Sequence, residues 1–215
     1  MEPREVLFYS DDATDPATNL RREAEIFEDV DAGRLPEVVR LWVNSRCLVR
    51  GPAKARGYGW YDEKLADEMK IPVITRATGG GVVYQDEGNL NWSFFFRNSG
   101  RLLAPPAAFE LGSRSIIDAL NSLGVGARFS PPNRIDVSGR KVSGLAARST
   151  PRTLLVHGTL LLNADLQALN RFCIPPSGCP PVANIGISAD ALKDALVSSL
   201  AKSGWKVKAA GARTA

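Results

Sequence analysis

Histidine occurs once in the 215 residues and cysteine three times, at Cys47, Cys173 and Cys179. An odd number of thiols at these separations matches no zinc pattern, and a single histidine does not complete a ligand set, so neither a structural metal nor a disulfide framework is expected to organise the fold. Long apolar runs are also missing: no stretch approaches the roughly 20 residues that a membrane helix needs. The opening "MEPREVLFYSDD" has acidic residues where a secretory leader carries basic ones, and it lacks an apolar core segment. A cytoplasmic protein with no membrane partner is therefore expected. Neither G-x-G-x-x-G nor a phosphate loop ending in G-K-[ST] is present, which removes the common nucleotide signatures. The net charge of +4 comes from scattered Lys and Arg rather than a basic block. That distribution points away from nucleic acid and toward an acidic protein or an anionic small molecule.

What is present fits one domain over residues 1–215, with no internal repeat and no linker to divide it. Asp15 and Pro16 open a helix over about residues 16 to 29, with Leu20, Ala24 and Phe27 on its apolar side. "EVVRLWVNSRCLVRG" reads as strand broken near Asn44, "PAKARGYGW" as loop, "YDEKLADEMKI" as a short helix and "PVITR" as strand. Leu90, Trp92, Phe94 and Phe96 alternate with Asn91, Ser93 and Phe95, the pattern of a strand with one face buried. "PPAAFELGSRSIIDALNSLG" is helical, with Phe109, Ile116, Leu120 and Leu123 on one face and a stop at Gly124. "RIDVSGRKVSG" is a hairpin turning at Ser138-Gly139, and "TLLVHGTLLLN" is a buried strand. Residues 171 to 187 form a proline-rich loop, and Ser188 caps a last helix carrying Leu192, Leu196 and Leu200. This order lacks regular βαβ alternation. It predicts an α+β domain, a mixed and largely antiparallel sheet flanked by helices.

Three places could carry chemistry. In "RATGGGVVYQDEGNLNWSFFF" the glycines Gly79, Gly80 and Gly81 are either a plain turn or a bare backbone beside Arg76 on which an anionic group can lie. Lys141, on the hairpin arm with Ser143 and Gly144 after it, is either a solvated charge or a cation placed to stabilise a phosphate or carbonyl oxygen. His157, followed by Gly158, is either a hydrogen-bonded core residue or a ligand-orienting one; no nucleophile elbow supports a catalytic triad.

In this order and spacing, "RATGGGVVYQDEGNLNWSF", "GRKVSGLAAR" and "HGTLLLNADL" resemble the lipoate-protein ligase A family, a branch of the biotin/lipoate ligase and octanoyltransferase superfamily. "NLRREAEIF" and "LWVNSRCLVRGPAK" fit it more loosely, and the resemblance runs from about residue 7 to 207. It implies a biotin/lipoate ligase-like catalytic domain, and here one without the C-terminal accessory domain of longer ligases. It also implies ATP, lipoate and Mg²⁺ as cofactors. The expected activity converts lipoate or octanoate to the acyl-adenylate and passes it to a lysine of a carrier protein. Lipoyl domains of 2-oxoacid dehydrogenase complexes or the glycine cleavage H protein are the implied partners, together with a separate accessory subunit. By the same resemblance Lys141 contacts phosphate and acyl carbonyl. Arg76, Gly79, Gly80, Gly81 and Val83 bind acyl chain and adenylate, Tyr84 and Asn89 shape the nucleotide side, and Ser143, Gly144, His157 and Gly158 form the opposite wall.

Two departures stand out. Gln85 occupies a place where the family commonly has histidine, and Asn133-Arg134-Ile135 puts a cation where a carboxylate is expected, which bears on Mg²⁺. The rival from the same superfamily is an octanoyl or lipoyl transferase working through a cysteine thioester, with Cys173 or Cys179 as its thiol. A non-catalytic binder of lipoyl-adenylate or of the carrier is a further alternative. Biotin ligation lacks its arginine-rich glycine loop.

Overall fold

The computed structural model describes residues 4–10, 12–54, 57–98 and 105–210. In chain order the elements are β1 (Arg4–Ser10), α1 (Pro16–Asp31), β2 (Glu37–Trp42), β3 (Cys47–Arg50), α2 (Glu63–Glu68), β4 (Val73–Thr75), β5 (Val83–Gln85), β6 (Asn89–Arg97), α3 (Pro105–Ser122), β7 (Ala127–Ser130), β8 (Arg134–Val137), β9 (Arg140–Ser149), β10 (Thr153–Leu161), α4 (Leu166–Phe172), α5 (Ala189–Lys202) and β11 (Trp205–Ala210). The large sheet has the order β11-β1-β2-β6-β10-β9-β8-β7. Its β11–β1 and β1–β2 pairings are parallel and the rest antiparallel. A small sheet, β4-β3-β5, stands beside it. The α+β expectation of a mixed, largely antiparallel sheet flanked by helices therefore describes the molecule.

Local signals explain most of these elements. The Asp15 carboxylate accepts from the Thr18 amide at 3.0 Å and Pro16 opens α1; the Ser188 hydroxyl accepts from Ala191 at the start of α5. Ser138 and Gly139 take φ of 49° and 76°, both positive as a type I′ turn requires, and they join β8 to β9. Chain leaves the large sheet after Trp42 and enters the small one at Cys47, so the break near Asn44 is a change of sheet.

One face of the large sheet packs against α3 and α5, where Trp92, Phe94, Val156, Ile116, Leu120 and Leu196 are buried. The other packs against α1, with Phe27, Val30, Phe95 and Leu155 at the contact. This second layer corrects two expectations. β6 is buried on both faces, because α1 covers the side that carries Asn91 and Ser93. The buried stripe of α1 is Asn19, Glu23, Ile26, Phe27 and Val30; of the expected Leu20, Ala24 and Phe27, only Phe27 belongs to it. Leu123, placed on the apolar face of α3, lies just past its end and is 39% exposed. β1, α4 and β11 were not anticipated. The seven residues of α4 are too few to show a helical period, yet Asp165 caps it by accepting from Gln167 and Ala168. Among the described residues no helix is long and apolar enough to cross a membrane.

Candidate active site

A cavity of about 470 Å³ opens between the large sheet, the small sheet and the proline-rich segment that follows α4. That is within the usual range for a small-molecule site. Its floor is the α1-side face of the large sheet, with Trp42, Asn91, His157 and Thr159; Val49, Val83 and the glycine loop come from the small-sheet side. Segment 175–180 forms the far wall. It is pinned at both ends, by the Tyr61–Cys173 bridge and by the Lys141 amide donating to Pro181 O at 2.9 Å.

The glycine loop owes its shape to Arg76. Nη2 donates to Gly79 O and Gly81 O, both at 2.8 Å, Nη1 to Val49 O at 3.1 Å, and Nε to Thr78 Oγ1 at 3.2 Å. All three nitrogens are thus used inside the protein. The guanidinium is a clamp on the loop, where sequence suggested a forked donor for an anion. Burial pushes its pKa down to about 10, while the Glu23 charge acts the other way. Gly80 has φ +99°, and a Cβ there would lie 2.9 Å from Arg76 Nη2. A Cβ on Gly81 would meet the Trp60 ring at 2.6 Å. These two glycines are required by internal close approach, and both line the cavity.

Lys141 reaches the same cavity from β9. Its ammonium lies along the strand where Gly144 leaves room, since a Cβ on Gly144 would stand 3.1 Å from both Cε and Nζ. Burial lowers the Lys141 pKa first, and the Arg134 charge adds to that; Cys179, Cys173 and Asp136 oppose it. Gly158 has no space for a side chain either: a Cβ would be 2.8 Å from Gly144 O and from the Trp92 ring.

His157 connects the glycine loop to α1. Thr78 Oγ1 lies 2.6 Å from Nε2, and Nδ1 lies 2.8 Å from Glu23 Oε1. Arg76 donates to Thr78, so the threonine hydroxyl is free to donate to Nε2; the imidazole N–H then sits on Nδ1 and donates to the carboxylate. Ser93 also donates to Glu23 through a short bond. Burial raises the Glu23 pKa, but its interaction with His157, with Ser93 and Arg40, outweighs it and holds the carboxyl below its ordinary value. A second chain is made of amides: Asn19 Nδ2 to Asn44 Oδ1 at 2.9 Å, Asn44 Nδ2 to Gln85 Oε1 at 2.7 Å, and Gln85 Nε2 to Asn91 Oδ1 at 2.7 Å. Gln85 belongs to this ladder. Its side-chain amide accepts from Asn44 and donates to Asn91.

Of the residues singled out from sequence, Arg76, Gly80, Gly81, Val83, Lys141, Gly144, His157 and Gly158 line one cavity. Gly79, Tyr84, Asn89 and Ser143 do not. Gly79 contributes its carbonyl to Arg76. Tyr84 is buried, stacked on Phe172 at 5.8 Å and 10°, with burial pushing its phenol up to about 12. Asn89 closes the turn before β6, accepting from the Asp86 amide at 3.1 Å and donating to Thr159 at 3.4 Å. Ser143 is 1% exposed and its hydroxyl has no partner among the described residues.

The Lipoyl protein ligase A/B catalytic domain model matches residues 15–202. The chain belongs to this family. It is 31% identical over 157 residues to the probable lipoate-protein ligase A of Mycoplasma genitalium, covering 73% of this chain and 46% of that protein. It is 34% identical over 160 residues to the putative lipoate-protein ligase A of Aeropyrum pernix, covering 74% and 59%. The chain thus spans about half the length of the curated relatives it matches. The fold is shared with a bi-partite lipoate protein ligase from Thermoplasma acidophilum, at TM-score 0.83 and 20% identity over 98% of this chain and 88% of that one. A lipoate-protein ligase A bound with ATP has the same fold at TM-score 0.84 and 22% identity, over 98% and 89%.

Within this lipoyl ligase A/B domain the Mg²⁺ expectation can be tested on the donor set. Among the described residues the cavity is lined by three cations, Arg76, Arg134 and Lys141, and by no Asp or Glu. Among the described residues no group of His, Cys, Asp and Glu is arranged to hold a metal. Asp136, the nearest carboxylate to Lys141 in the hairpin register, already binds Arg134 and is 3% exposed. These residues do not fit a protein-held divalent cation.

Sequence reading missed Glu23, Thr78, Trp60 and the Asn44–Gln85–Asn91 ladder. Glu23 had a readable signal, a carboxylate at helical spacing from Asn19, Phe27 and Val30 on an apolar stripe. Trp60 had none, because "PAKARGYGW" looks irregular.

Proposed function

We propose that the protein activates lipoate with ATP to lipoyl-adenylate and transfers the lipoyl group to a lysine of a lipoyl domain. The observation that carries this is the convergence of the glycine loop and the Lys141 ammonium on one cavity. The family membership supports it, as do T. acidophilum structures with bound lipoic acid and with an E2 lipoyl domain.

In the first step a carboxylate oxygen of lipoate attacks the α-phosphorus of ATP. The bond from that phosphorus to the β-phosphate bridge breaks, and pyrophosphate leaves. In the second the acceptor amine attacks the mixed-anhydride carbonyl, the acyl C–O bond breaks, and AMP leaves with the electron pair as the amine loses its proton. Leu20, Trp42, Val49 and Val83 give the acyl chain apolar walls. Lys141 stabilises negative charge on the phosphate and on the carbonyl oxygen as the tetrahedral intermediate forms. The Arg76 clamp and the Thr78–His157–Glu23 chain hold the loop against the sheet, so the site is preorganised.

The cysteine-thioester alternative has weaker support. Cys173 lines the cavity, but burial pushes its thiol up to about 11, with a Tyr84 backbone hydrogen bond and Lys141 only partly opposing this. A nucleophilic cysteine needs the reverse. The H protein is a second candidate acceptor, and an accessory subunit belongs to the same proposal, as does a cytoplasmic location and a single catalytic domain over residues 1–215.

The test has two parts: lipoate-dependent exchange of labelled pyrophosphate into ATP, with and without candidate partner subunits, and transfer from synthetic lipoyl-adenylate to a lipoyl domain. Exchange and transfer that are lost in Lys141→Ala and kept in Cys173→Ser support a ligase. Transfer lost in Cys173→Ser and kept in Lys141→Ala overturns it in favour of a thioester enzyme, and absence of both activities leaves a binder.

A further inference from the structure

We propose that Arg134 acts as the resident counter-charge for the ligand phosphate, so that the site grips the acyl-adenylate by an arginine–lysine pair without a protein-held divalent cation. This rests on the ligase reading above and concerns how that same site recognises its anion.

Placement is the first ground. β8 and β9 pair Arg134 with Gly144, the position whose missing Cβ makes room for the Lys141 ammonium. The two cations therefore approach one spot on the cavity wall from adjacent strands, and both line it. The hairpin has a register shift between Ile135 and Asp136, and Asp136 pairs with Lys141 across it.

The second ground is how the guanidinium is held. Its Nε donates to both Asp136 oxygens, at 3.0 and 3.1 Å, and Asp136 is buried. One nitrogen anchors the side chain, and among the described residues neither terminal nitrogen has a hydrogen-bond partner. A guanidinium fixed by Nε presents its two remaining donors as a fork, the geometry that matches two oxygens of one phosphate. Arg76, in contrast, has every nitrogen occupied by the glycine loop and Thr78.

Charge is the third. Among the described residues no carboxylate lines the cavity, so the charged side chains that an acyl-adenylate phosphate, with one negative charge, meets there are cations. Lys141 is already disfavoured as a cation by burial and by Arg134, and an anion between them would relieve both. A metal ion placed there would add positive charge to the pair, with no carboxylate among the described lining residues to offset it.

The probe is a hydrolysis-stable lipoyl-adenylate analogue that keeps its phosphodiester, titrated calorimetrically into the full chain in EDTA and in excess Mg²⁺. A second analogue with an uncharged linker serves as control. Wild-type affinity for the charged analogue should be the same in both buffers. Arg134→Ala should weaken it by about tenfold or more, the scale of losing charge-assisted hydrogen bonds, and leave the uncharged analogue unaffected. Because Arg134→Ala strips Asp136 of its partner, the double variant Arg134→Met/Asp136→Asn is measured too, and should show the same selective loss. Arg134→Asp should bind the charged analogue only when Mg²⁺ is present. Wild-type binding that needs Mg²⁺, or equal losses for charged and uncharged analogues, overturns the assignment to Arg134. Failure of wild type to bind either analogue in either buffer overturns the ligase reading itself.

Discussion

Replacing Glu23 by alanine removes the acceptor for two buried donors at once. Glu23 and His157 are 3% and 6% exposed, and Ser93 is fully buried. Without the carboxylate, His157 Nδ1–H and the Ser93 hydroxyl lose their partners, and each buried unsatisfied group costs about 1–3 kcal/mol. The sum, roughly 2–6 kcal/mol, brackets the roughly 3–5 kcal/mol usual for breaking a buried pair from one side. Glu23→Gln keeps the shape and one acceptor oxygen and should cost roughly half as much. Urea unfolding of wild type and both variants, followed by tryptophan fluorescence and circular dichroism, reads these values from the midpoints. The pH dependence adds an independent check. The folded-state pKa of Glu23 lies below the ordinary value of 4.5, so its contribution is complete above 4.5 and is lost as pH falls through the folded value. The gap between wild type and Glu23→Gln should therefore narrow on acidification below about 4.5. A Glu23→Ala cost under about 1 kcal/mol, or a gap that stays constant into strong acid, refutes the reasoning.

Three further outcomes follow from the same geometry. Gly80→Ala forces a side chain into φ +99° beside Arg76 and should cost about 1–3 kcal/mol, whereas Gly81→Ala should act chiefly on Trp60, shifting its fluorescence and weakening adenylate binding; calorimetry and emission spectra decide. Lys141→Met should cut transfer from lipoyl-adenylate by about 10²–10³-fold while leaving thermal stability unchanged or higher. Its folded pKa is below the ordinary lysine value of 10.5, so the charged lysine penalises the fold at neutral pH, and the gain in Lys141→Met should fade as pH rises toward 10.5. Among the thiols, exposed Cys179 should label first with iodoacetamide at mildly alkaline pH. Cys173, raised to about 11, should follow slowly, and buried Cys47, raised to about 12, only on unfolding; mass spectrometry of timed samples reads the order.

Features written in contiguous residues were legible in the sequence. The Ser138-Gly139 turn, the caps at Asp15 and Ser188 and the existence of strand β6 each need only a few neighbours, and the structure has all of them. Gly80, Gly81 and Lys141 were singled out as candidates from their local sequence, and the family resemblance placed them in the site; all three line the cavity. What stayed hidden depends on distant partners. Glu23 meets His157 across 134 positions, and nothing near either residue announces the other. Ser93 and Asn91 looked like the solvent side of a strand because α1, which covers them, had been assigned a different buried stripe. Arg76 was read as an anion donor on its charge alone; only the positions of Gly79 O, Gly81 O and Val49 O show that its donors are occupied. Tyr84 and Asn89 were expected on the nucleotide side from the family resemblance, yet strand alternation and the turn before β6 direct them away from the cavity.

The most direct measurement is a crystal structure of the protein with the stable lipoyl-adenylate analogue. The acyl chain should lie along Trp42 and Val83, with the phosphate within hydrogen-bond reach of Lys141 Nζ beside the Gly80–Gly81 backbone. A phosphate bound elsewhere, with Lys141 facing solvent and the cavity empty, would contradict the assignment of this site to acyl-adenylate chemistry.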